Sequence, residues 1–381
     1  MSASRKLINR VSSLPDWALP ALAALLYFPL VFLGYGSDSD SQGIVWAGQN
    51  FAATLDYVPS RNPGYLVHEA AVYFLSSLGG SLASNLGTLA MALAALISFR
   101  RVCGHFGIPN AGLLAGILMV HPFFWANAAA TMDYVWALGF FLLGYDLLLS
   151  GRFTGAGAAF ALAIGSRLST CILVGAVLLH LFFARPASRR GLFLTAALAG
   201  FFGAVCYLPA LDFTEWRPQA WLSASVGDPD LWTPVLRLGR FFYKNLMFWG
   251  IPAVLWLAAL AVLAWRERSG RAGLAIPGLT LLAAAVIAAV EILFLRYPIE
   301  MEYLLPLLPF VLMLLGAALP RRRRLLWVLL ALVLIANVVW INPARPVTPG
   351  QAAEVVYGLW LEPGYLVQDI LLRLSMAGAA P

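Results

Sequence analysis

Residues 36–69 read GSDSDSQGIVWAGQNFAATLDYVPSRNPGYLVHE, and apolar runs flank them on both sides. The stretch holds four of the chain's eighteen acids: Asp38, Asp40, Asp56 and Glu69. A charged loop between two apolar segments has water on at least one side and is free to carry chemistry. The nature of the flanking runs decides the fold. The 381 residues are 61% hydrophobic and 11% charged, with a mean hydropathy of +0.81. Soluble domains run near about 25% charged. Repeated apolar runs of about twenty residues read as transmembrane helices, because only helices satisfy their own backbone polar groups in lipid. Composition therefore excludes soluble and disordered classes, and the length suits one polytopic bundle.

On the N-terminal side of the loop, Arg5, Lys6 and Arg10 precede an apolar run over 17–35. That run is too long for a signal-peptide core, and no small-x-small cleavage site follows, so it reads as an uncleaved first span. Hydropathy then places further spans near 82–99, 108–126, 134–150, 155–166, 169–184, 192–210, 244–265, 273–295, 303–319 and 325–341. The expectation is an all-α polytopic membrane protein with about eleven transmembrane helices. The fifth is short enough to turn within the membrane.

With a cytoplasmic N-terminus, 16 of the 25 Lys and Arg residues fall in the inner segments, including the run Arg321–Arg324. This agrees with the positive-inside rule. The outer side then receives residues 36–81, 126–133, 212–243, 296–303 and everything after 342. Residues 1–341 form the membrane module, and 342–381 a short amphipathic outer tail. Within the first loop, 45–55 and 65–78 have the apolar spacing of helices lying on a membrane surface. Pro59 and Pro63-Gly64 separate them.

The net charge of +7 sits in short loops where it sets topology. No basic stripe with interleaved aromatics appears, so nucleic acid is not an expected partner. Cys103, Cys171 and Cys206 lie in or beside apolar segments without pairing or metal spacing, and read as packing residues. His68 and His121 stand alone, which argues against a zinc site.

Asp38 and Asp40 are the first candidates for chemistry. In extended chain, residues two apart project to the same side, so both carboxylates reach one centre. Such a pair serves as general base toward a hydroxyl, or binds a divalent ion such as Mg or Mn through oxygen. The competing reading is a turn and a cap for a helix over 42–50. Asp146, inside an apolar segment, is expected to pair with Arg152, and Glu291 is a second intramembrane acid. Trp216, Trp221, Trp232 and Tyr243 in the 212–243 loop read as interfacial belt residues, with stacking on sugar as the alternative.

The order of these features resembles the GT-C glycosyltransferases, the family of the protein O-mannosyltransferases and the lipid A aminoarabinose transferase. Ser60-Arg61-x-Pro63-Gly64-Tyr65 resembles the SRxPGYP segment of its bacterial and archaeal branch, with Leu66 replacing the last proline. His121-Pro122 through Met132-Asp133-Tyr134, Gly165-Ser166-Arg167-Leu168-Ser169, and Arg296-Tyr297 with Tyr303-Leu304-Leu305-Pro306 follow in the family's order. The likeness runs over about residues 17–320.

By that resemblance Asp40 falls on the catalytic aspartate, Asp38 is its companion, and Glu69 lies near the second acid. Arg61 becomes the candidate for gripping a donor phosphate, its guanidinium fork matching phosphate oxygens. A salt bridge to Asp56 or Glu69 is the alternative. Arg296 is a second phosphate candidate, with snorkelling to the interface as the alternative. Tyr65, His68 and Lys244 complete the set.

The implied activity is transfer of a sugar from a polyprenyl-phosphate donor to a hydroxyl of a lipid or glycan acceptor, with inversion, outside the cytoplasmic membrane. Competing classes are a flippase of lipid-linked glycans and a non-catalytic envelope subunit. A transporter would more often show paired, Gly/Pro-broken spans in two repeated halves, which are not visible.

Overall fold

Segments with no polar face form helices that must be buried or face lipid. Each of the eleven apolar stretches is helical over most of its length in the computed structural model, which describes residues 17–219, 221, 233–269, 277–346 and 355–378. The basic N-terminal residues Arg5, Lys6 and Arg10, and also Arg271 and Trp232, lie outside the described residues.

The chain opens with α1 (Ala18–Tyr27), extended by a 3-10 turn to Phe32. The first loop supplies α2 (Ser39–Thr54) and the start of α3 (Leu66–His105). Then come α4 (Ala111–Val120), α5 (Pro122–Asn127), α6 (Asp133–Leu149), α7 (Phe153–Ser166), α8 (Thr170–Ala184), α9 (Arg189–Val205) and α10 (Leu208–Phe213). The second half carries α11 (Pro234–Trp249), α12 (Ile251–Ser269), α13 (Pro277–Arg296), α14 (Leu308–Ala318) and α15 (Arg323–Ala336). A 3-10 segment, Met301–Leu307, leads into α14.

Among the described residues, four stretches are long and apolar enough to cross a membrane: 66–105, 186–213, 278–296 and 301–318. The pair α11 and α12, bent by 89° at Gly250, makes a fifth if taken as one span. The chain is a multi-pass membrane protein, and several of its other apolar helices are only 10–17 residues long. Local chemistry explains some of the shortening. The expected 108–126 span is broken at His121, which is extended (φ −65°, ψ 127°) because the residue before a proline avoids the helical region.

The expected surface helix over 65–78 is the first part of α3. A kink at Gly79 and Gly80, both non-helical, separates it from the rest of that helix. Helix α6 is the centre of the bundle, buried all round and packed between α3 and α7. Gly139 makes the α3 approach possible: a Cβ there would lie 2.8 Å from the carbonyl oxygen of Met91.

The pairing expected for Asp146 is different. It meets His105 Nε2 at 3.0 Å and Arg101 Nη1 at 3.5 Å, not Arg152. The C-terminal end of α3 runs beside α6, whereas Arg152 stands at the N-terminal end of α7.

The tail is more than an amphipathic helix. Strand β1 (Val339–Pro346) pairs antiparallel with β2 (Val355–Pro363), with an irregularity between Asn342 and Ala344. The expected boundary at residue 341 falls inside β1. Helix α16 (Tyr365–Gly378) follows and packs against α5.

Candidate active site

Asp38 caps α2, its carboxylate accepting the backbone N–H of Asp40 at 2.9 Å. An Asp cap satisfies an otherwise orphaned donor of the first turn. Asp40 is then held in that turn with its carboxylate toward Arg61, and the two form an ion pair. The Asp-x-Asp pair therefore diverges: Asp40 lines the main cavity, and Asp38 a small polar one beside it. Burial raises the carboxyl of Asp40 above its ordinary range; the Arg61 charge opposes this, and Asp38 adds to it.

Arg61 comes from the turn that Pro63-Gly64 closes. Gly64 has φ +96°, and a Cβ there would sit 2.6 Å from the Tyr57 hydroxyl. Glu69 pins this turn from α3, accepting the Ser60 N–H at 2.9 Å, the Ser60 hydroxyl at 2.5 Å and the Tyr57 hydroxyl. The alternative partners for Arg61, Asp56 and Glu69, are not the ones it takes. Its second carboxylate is Asp133, at 2.7 Å.

Asp133 opens α6 and is fully buried. It also binds Arg167, the residue that ends α7. One carboxylate thus holds two guanidiniums. The Arg167 guanidinium lies 4.1 Å from the Tyr134 ring centroid and 5.2 Å from that of Tyr303; Arg61 lies 4.6 Å from that of Tyr65. Such stacking suits a planar, weakly hydrated cation.

These groups border a cavity of about 740 Å³. Arg61, Arg167, Tyr65 and Tyr134 line it, but Asp133 does not. The buried carboxylate therefore holds two cavity-lining arginines without lining the cavity itself. The Arg61 Nε is buried without a hydrogen-bond partner. Asp40, Glu300 and Glu302 add polar lining, and Leu138, Phe141, Leu173, Val290 and Phe294 apolar lining. Burial, with Glu302 and Asp38 nearby, pushes the Glu300 carboxyl up to about 7.

Of the residues singled out in the sequence, Asp40, Arg61 and Tyr65 meet here. Arg296 is exposed and does not line the cavity. Lys244 stands near Glu300 and Glu302 outside the lining. His68 is buried with its ring edge-on to Trp136, behind the site. Trp221 packs near Tyr207, Tyr243 donates to Asn342, and Trp216 is exposed; none of the three lines the cavity.

Among the described residues no group of three His, Cys, Asp or Glu side chains is placed to hold a metal. In this arrangement Asp40 pairs with Arg61 and Asp38 caps a helix. Sequence reasoning gave Asp133 and Arg167 no role. Their signal was a charged residue at each end of otherwise apolar segments, where charge is costly unless paired.

Two crystal structures of ArnT from Cupriavidus metallidurans are similar to this backbone. One is bound to undecaprenyl phosphate (TM-score 0.54, 18% identity) and the other is apo (TM-score 0.55, 17% identity). The chain has the fold of ArnT. The match covers 84% of this chain and 61% and 60% of the two ArnT chains, so this chain spans about three fifths of ArnT's length. The GT-C likeness read from the sequence holds for the fold. No protein-family model matches the chain, and no curated protein does.

Proposed function

We propose that this protein is a membrane glycosyltransferase that moves a sugar from a polyprenyl-phosphate donor to an acceptor hydroxyl at the outer face of the cytoplasmic membrane. The observation that carries the reading is the mixed lining of the cavity, two paired arginines and an aspartate together with an apolar wall. A lipid phosphate needs both kinds of surface, and the ArnT crystal bound to undecaprenyl phosphate supports the choice of ligand.

The donor phosphate sits against Arg167 and takes the place of Asp40 on Arg61, and the prenyl chain runs along Phe141, Leu173 and Phe294. Phosphate competes with Asp40 for Arg61. Loss of that ion pair raises the basicity of Asp40 as the site fills, because an opposite charge no longer favours its ionised form. Asp40 takes the proton of the acceptor hydroxyl as its oxygen attacks the anomeric carbon. The bond from that carbon to the phosphate oxygen breaks on the opposite face, so the configuration inverts. The phosphate leaves with the electron pair, and the two guanidiniums stabilise its growing charge. No step passes through a metal ion. The acceptor is a lipid-borne or glycan hydroxyl.

The test is purified protein with a polyprenyl-phosphate sugar and a hydroxyl acceptor. Release of polyprenyl phosphate in step with new glycosidic bond, of inverted configuration, is the expected result. Lipid movement across a vesicle membrane without bond formation would replace this reading with a flippase.

A further inference from the structure

Arg373 is 3% exposed, in a tail segment that the sequence sets apart from the membrane module. Burying a guanidinium costs several kcal/mol unless its donors are satisfied. Its donors are spent in a telling place. Nη1 binds the carbonyl of Ala129 at 2.9 Å and Nη2 that of Ala126 at 3.1 Å, both in the stretch just before Asp133. Nε binds Asp369 Oδ1 at 3.1 Å, and Asp369 Oδ1 in turn accepts the Ser37 hydroxyl at 2.5 Å. Ser37 directly precedes Asp38, whose carboxylate caps the turn holding Asp40. Four residues before Asp369, the Tyr365 hydroxyl donates to Glu302 in the main cavity.

We propose that α16 is a positioning element of the reaction centre. Ser37, Asp369 and Arg373 tie the loop that presents Asp40 to the loop that presents Asp133. Both loops already share one backbone bond, Thr131 N–H to the Tyr35 carbonyl at 2.6 Å. The brace adds a side-chain link between them. It holds the base at a fixed distance from the two arginines, so its loss slows the chemical step more than it weakens donor binding. None of the three residues lines the main cavity, so they act through Asp38, Asp40 and Asp133. The proposal rests on the transferase reading for its kinetic arm, and a second arm does not depend on it.

The experiment uses the full chain with Ser37→Ala and Asp369→Asn, and with Arg373→Lys as the conservative variant. Hydrogen–deuterium exchange is followed in peptides covering residues 36–41 and 126–133. Exchange should rise about tenfold in 36–41 for Ser37→Ala and in both peptides for Asp369→Asn, the scale of one lost hydrogen bond. Exchange in α6 should stay unchanged. With a polyprenyl-phosphate sugar as donor, kcat should fall about tenfold with KM within about twofold, and Arg373→Lys should keep more activity than Asp369→Asn. Unchanged exchange in both peptides, or a rise in KM alone, overturns the brace. Wild type that transfers no sugar while the exchange pattern appears overturns the transferase reading and leaves the brace standing. Ser37→Ala removes only one hydroxyl, so it decides the matter if Asp369→Asn fails to fold.

Discussion

Asp133 is the residue on which the two arginines depend. Its carboxylate is fully buried and is shared by Arg61 and Arg167, so Asp133→Asn leaves two guanidiniums short of charge. Breaking a buried pair costs about 3–5 kcal/mol. The variant should show a lowered thermal midpoint in detergent, measured against wild type, and weaker retention of polyprenyl phosphate. Arg167→Lys is the gentler change, keeping charge while losing the fork and the stacking on Tyr134. A drop of about 10²–10³ in kcat is expected, the range for losing one preorganised donor. Glu300 gives a pH signature. Its carboxyl sits near 7 in the folded chain against an ordinary 4.5, so the folded state binds the proton more tightly. The stability it contributes is full below 4.5 and is lost as pH rises through 7. Thermal scans across that window should therefore be flatter for Glu300→Gln than for wild type.

The helices arrange these residues through a few close approaches. α6 presents Asp133 and Tyr134 at its first turn, and its height against α3 is set where Gly139 meets Met91. Gly139→Ala places a methyl 2.8 Å from a backbone carbonyl oxygen, which cannot rotate away. Overpacking of this kind costs about 1–3 kcal/mol. A loss of thermal stability on that scale, with α6 displaced from α3, is the expected outcome. The individual apolar helices were legible in the sequence because hydropathy is a local property. Their ends were less so. The His121-Pro122 break and the Gly79-Gly80 kink turn on one or two residues inside long apolar runs.

At the scale of the whole molecule, the site gathers residues far apart in sequence: Asp40, Arg61, Asp133, Arg167 and Glu300. The first loop announced itself by acids and Pro-Gly punctuation, and the resemblance of its Ser60–Tyr65 segment then singled out Asp40, Arg61 and Tyr65. Asp133 and Arg167 could not be assigned partners, because their pairing depends on how α3, α6 and α7 pack. Arg296 was a second phosphate candidate with snorkelling as the alternative; it is exposed at the end of α13 and does not line the cavity. The tail was read as a separate amphipathic piece, whereas α16 reaches back to Ser37 and Glu302.

The central claim is that Asp40 acts as base on a hydroxyl beside a bound lipid phosphate, and Asp40→Asn in a single-turnover assay with a polyprenyl-phosphate sugar tests it most directly. The account predicts that the variant folds and still binds the donor, while release of polyprenyl phosphate slows by about 10²–10⁴-fold. Release at the wild-type rate from Asp40→Asn would contradict it.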